Sequence, residues 1–68
     1  MFEMKPISLD SVPAALDRAE RYRLLNEPVE AESICLDVLD VDAENQRALV
    51  VLLLALTDQF EAHMRASV

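Results

Sequence analysis

The sequence predicts an all-α fold, an antiparallel helical hairpin followed by a third helix. Three observations predict it. There is no glycine in the 68 residues and no Asn-Gly or Asp-Gly pair, so tight β-hairpin turns are poorly served. Leu and Ala are the commonest residues, and Glu, Asp and Arg are frequent, most of them good helix formers. Apolar residues recur at helical spacing, while alternating polar and apolar runs are missing.

Residues 1–11 are expected to form an extended lead-in, with Pro6 and Asp10 discouraging helix. A single domain follows over 12–68. Its first helix is predicted at 12–26, capped by Asp10 or Ser11, with Pro13 tolerated in the first turn. Val12, Leu16, Ala19 and Tyr22 or Arg23 give it one apolar face. Pro28 disfavours helical geometry at Glu27 and so closes the first helix. The second helix, 28–41, carries Glu27, Glu30 and Glu32 near its positive end and buries Ala31, Ile34, Cys35, Val38 and Leu39. Asp42 is the expected N-cap of a third helix over 43–65, which contains no breaker. Its predicted inward stripe is Leu49, Leu52, Leu53 and Leu56, continued by Phe60 and Met64. Short connections make consecutive helices antiparallel neighbours.

A domain this small is marginally stable alone unless a disulfide, a metal or oligomerisation supports it. One cysteine, Cys35, excludes an internal disulfide, and one histidine, His63, excludes a Cys/His zinc set. Association with itself or a partner is the remaining route. A formal charge of −7 argues against a nucleic-acid surface. The longest apolar run, Ala48 to Leu56, has nine residues, too few to span a bilayer. With no basic or apolar leader and a lone cysteine, the expected location is cytoplasmic.

The segment "AESICLDVLDVDAEN" and the helix before it resemble a tetratricopeptide repeat, a helix–turn–helix unit of about 34 residues. Ala31 matches the small slot where the two helices cross, and Cys35, Val38 and Leu39 fill packing positions. Asp42, Ala43 and Asn45 fall on the family's exit turn, and Ala19, Tyr22 and Asn26 on first-helix and turn positions. One period further, Ala15, Ala19 and Tyr22 map onto Leu49, Leu53 and Leu56, so the third helix reads as the start of a second repeat. The chain departs from the family at Ala15, Arg18, Pro28 and Ala43, where tryptophan, leucine, tyrosine and proline are usual. About one and a half repeats are implied.

The resemblance implies a non-catalytic interaction module whose groove is lined by first helices. By position these residues are Leu16, Glu20, Arg23 and Leu24 with Arg47, Val50, Leu54 and Asp58. Leu16, Glu20 and Val50 do not supply a carboxylate clamp, so an apolar helix or segment is the expected ligand. Helix geometry adds a second expectation. Val50, Val51 and Leu54 lie outside the predicted inward arc, and Phe60 and Met64 extend the seam, so a homodimer through the third helix is expected. No cofactor or metal is called for. Cys35 reads as a core residue and His63 as a surface one, and Asp37 and Asp40 share a helix face without a base or a cleft. Glu27 to Glu44 holds seven acids and no base. A competing expectation is therefore an acidic, antitoxin-like inhibitor that masks a basic partner.

Overall fold

The computed structural model describes residues 9–67, with side chains to Arg65. The fold is all-α. A short 3-10 turn, Leu9–Ser11, leads into α1 (Val12–Leu24), α2 (Pro28–Val41) and α3 (Gln46–Ser67), and no strand occurs among the described residues. Helix α2 packs heavily on both neighbours, and α1 touches α3 more lightly. No helix among the described residues is long and apolar enough to cross a membrane.

The lead-in differs from expectation where it is described. Residues 9–11 wind into a 3-10 turn continuous with α1, and Ser11 already has right-handed helical angles (φ −92°, ψ −4°). The expected extended stretch over residues 1–8 lies outside the described residues.

Helix α1 stops at Leu24, two residues short of the predicted end. Asn26 has φ 66°, a left-handed conformation that no right-handed helix includes. The Glu27 amide donates to the Tyr22 carbonyl at 2.9 Å and the Asn26 amide to the Arg23 carbonyl at 3.0 Å. That pair of bonds is a Schellman closure, with asparagine in the place glycine usually takes. Pro28 then starts α2 at a position where its missing N–H costs nothing.

Helix α3 starts at Gln46, three residues later than predicted, because Asn45 rather than Asp42 caps it. The Ala48 amide donates to Asn45 Oδ1 at 2.8 Å, and Asn45 Nδ2 donates to Asp42 Oδ2 at 3.1 Å. Asp42 instead closes α2, its amide donating to the Val38 carbonyl at 2.9 Å. One asparagine thus caps the incoming helix and ties it to the outgoing one.

The core consists of Val12, Ala15, Leu16, Ala19, Ala31, Cys35, Val38, Ala48, Val51 and Ala55. Tyr22, Ile34, Leu39, Val41 and Leu52 pack around it. The predicted faces of α1 and α2 are the observed ones. Helix α3 is turned differently. It buries Ala48, Val51 and Ala55, while Leu49, Leu53 and Leu56 are exposed. The cause is size. Half of the ten core residues are alanines, so the helices meet on small side chains and leave no room between them for a leucine row.

Candidate functional site

The α1–α3 side of the bundle forms a groove. Glu20, Arg23 and Leu24 of α1 face Arg47, Val50, Val51 and Leu54 of α3 across a cavity of about 280 Å³. Its apolar lining comes from Leu24, Val50, Leu54 and the edge of Val51, and its polar lining from Glu20 and two arginines.

Both arginines are neutralised within the chain. Arg23 Nε donates to Asp58 Oδ2 at 2.6 Å, and Arg23 Nη2 to Asp58 Oδ1 at 3.3 Å, a fork that ties the end of α1 to the middle of α3. The hydrogen bond to Asp58 raises the Arg23 pKa above its ordinary value, against an opposing desolvation. At the other end Arg47 Nη2 donates to Asp17 at 2.7 Å and its Nε to Glu20 at 2.9 Å, and these bonds raise its pKa as well. Each guanidinium spends two of its five N–H donors this way, and its acid partners offset its charge, which weakens its pull on a ligand carboxylate. Helix α2 is fastened to α3 by Gln59 Nε2, which donates to Glu32 Oε1 at 2.7 Å.

Of the expected partner residues, the structure brings Glu20, Arg23, Leu24, Arg47, Val50 and Leu54 together in this groove. Asp58 joins them indirectly, as the anchor of Arg23. Two expectations need correction. Leu16 is 1% exposed and Val51 3%, because both lie on the faces that close the small-residue core. Leu16 is therefore a core residue, and Val51 shows a partner no more than an edge. Phe60 and Met64 are exposed, but they sit on a different side of α3 from the groove.

Phe60 and Met64 are expected at a seam, but the residues that share their side, Leu49, Leu53 and Leu56, are expected in the core and are instead exposed. Leu49, Leu53, Leu56, Phe60 and Met64 recur every three or four positions and form a continuous exposed stripe. The spacing carries the signal, but it does not say which way the stripe faces.

Cys35 is fully buried, and burial pushes its thiol up, with a smaller contribution from the charge of Glu20. A thiol raised in this way is a poor nucleophile at neutral pH. Among the described residues there is no grouping of His, Cys, Asp and Glu that could hold a metal ion, and no buried polar or charged side chain. No family model, no curated protein and no solved structure matches this chain.

Proposed function

We propose that the chain is a non-catalytic protein-interaction module, a helical hairpin with a third helix of the tetratricopeptide-repeat kind. Its α1–α3 groove receives an apolar helix or segment of another protein in a cytoplasmic setting. The observation that carries this reading is the groove itself, in which Leu24, Val50 and Leu54 stand open between two internally satisfied arginines. Leu24 is 85% exposed, and nothing in α1 needs a leucine there for packing.

The lining favours an apolar ligand over an ionic one, since the charge of each arginine is already offset, by Asp58 or by Asp17 and Glu20. Burying one leucine or valine is worth about 1.5–3 kcal/mol. Association itself costs several kcal/mol, so three such anchors support modest affinity rather than tight binding.

Selection of displayed peptides against the folded chain tests the reading. Enriched peptides should carry apolar residues at i, i+3 or i+4 and i+7, and their binding should fall about tenfold or more in Leu54→Glu. Enrichment of acidic-tailed peptides, or of peptides insensitive to Leu54→Glu and Leu24→Glu, would defeat it.

A further inference from the structure

The exposed stripe on α3 has a property that the groove lacks, for it carries no charge. On a helical wheel of about 100° per residue, all four charged residues of α3 fall within roughly 60° of arc. They are Arg47, Asp58, Glu61 and Arg65, on the α1 side. The stripe of Leu49, Leu53, Leu56, Phe60 and Met64 lies about 135° away on the same wheel. Its rim consists of Thr57, Gln59 and His63. In a chain of net charge −7, such a charge-free face is the composition of an interface centre, where charged residues are depleted.

We propose that a second copy of this chain covers the stripe, with the two α3 helices packed antiparallel about a twofold axis between Leu56 and Thr57. The proposal is separate from the groove and does not depend on it. Charge selects the occupant. A basic partner would be met by acids around the seam and an acidic one by bases, yet α3 itself brings neither to the flanks of the stripe, and Glu32, the acid of α2 beside the rim, is already bonded to Gln59.

Spacing supports the same choice. Around that axis Leu49 opposes Met64 of the other copy, Leu53 opposes Phe60, and Leu56 opposes Thr57. Each bulky C-terminal side chain meets a leucine rather than its own kind. The 4-3-4 steps from Leu49 to Phe60 are those of a helix–helix seam. Thr57 brings no unpaired donor into it, because its hydroxyl already donates to the Leu53 carbonyl at 2.9 Å.

Area agrees as well. Leu53 is 64% exposed and Phe60 63%, and the five stripe residues together expose on the order of 500 Å², a large patch for a monomer. A standard interface buries about 800 Å² per partner, of which roughly two-thirds is apolar at a homodimer contact. The stripe supplies that apolar share.

Sedimentation equilibrium at tens of micromolar should give a dimer that tightens as salt screens the repulsion between two acidic chains. Leu53→Glu and Phe60→Glu should sediment as helical monomers, while Leu54→Glu, in the groove, should remain dimeric. Cysteine crosslinking reads the geometry without disturbing the fold, since the native Cys35 is buried. Leu56→Cys, beside the axis, should crosslink readily under mild oxidation. Leu49→Cys should not, because its two copies would lie about 22 Å apart along the helices. A wild-type monomer overturns the proposal, as does dissociation by Leu54→Glu but not Leu53→Glu, or equal crosslinking at both positions. Loss of peptide binding in Leu54→Glu with the dimer intact would separate the groove from the seam.

Discussion

Asn26 holds the backbone at φ 66° in a chain that has no glycine to place there. Asparagine tolerates this conformation better than any residue except glycine, and a β-branched residue tolerates it worst. Asn26→Val should therefore destabilise the fold by about 1–2 kcal/mol, whereas Asn26→Gly should melt at the same temperature or higher. The turn at this point was legible from Pro28, but the two-residue difference in helix end was not, because it depends on which carbonyls the Asn26 and Glu27 amides find. Cys35 gives a second test. Below its ordinary pKa of 9.0 the thiol keeps its proton in both folded and unfolded chains, and stability is independent of it. As pH rises, the unfolded chain gives up the proton first, so stability falls as pH climbs through the higher folded value. Urea midpoints should drop above about pH 9, and less steeply in Cys35→Ala. A thiol reagent should react with the native chain only as fast as it opens.

At the scale of the helices, α1 and α2 were readable because each mixes charge with a single apolar stripe. Helix α3 was readable as a helix but not in its rotation. Its nine-residue apolar run offers every direction as a candidate face, and the large leucines drew the choice. The face that packs is Ala48, Val51 and Ala55, since close approach of three helices rewards small side chains. Arg47 and Asp58 held the missing cue, as charges eleven residues apart fall on one side of a helix and mark where α1 lies. The small-residue contact makes a testable demand. Ala31 is fully buried, and Ala31→Leu should overpack it at a cost of about 1–3 kcal/mol, read from denaturant midpoints. Asn45→Ala removes the α3 cap and the link to Asp42, and should cost about 1 kcal/mol.

At the scale of the molecule, the Arg23–Asp58, Arg47–Asp17 and Arg47–Glu20 ion pairs each join α1 to α3, the pair of long helices that touch least among the described residues. Arg23 and Asp58 are each about a quarter exposed and share a fork, so a double-mutant cycle should give a coupling of about 1 kcal/mol. The exposed Arg47 pairs should show no measurable coupling, and Arg47→Ala should serve mainly to widen the groove. The lining of the groove follows from counting along the two helices that face each other, α1 and α3. The stripe does not, since its visibility depends on how α3 is turned. That rotation was lost in the uninterrupted apolar run.

Helix α3 also outruns its supports. At 22 residues it measures about 33 Å, against about 20 Å for the 13 residues of α1. Beyond Gln59, which donates to Glu32 of α2, every side chain from Phe60 to Arg65 is exposed. Amides in this overhang are guarded only by the helix's own hydrogen bonds, so in the isolated protomer they open at little cost and exchange with deuterium early. Anything that settles against Phe60 and Met64 would slow that exchange by roughly as many decades as it adds multiples of 1.4 kcal/mol to local stability. The overhang is thus a built-in clock, and its rate reports whether α3 is covered.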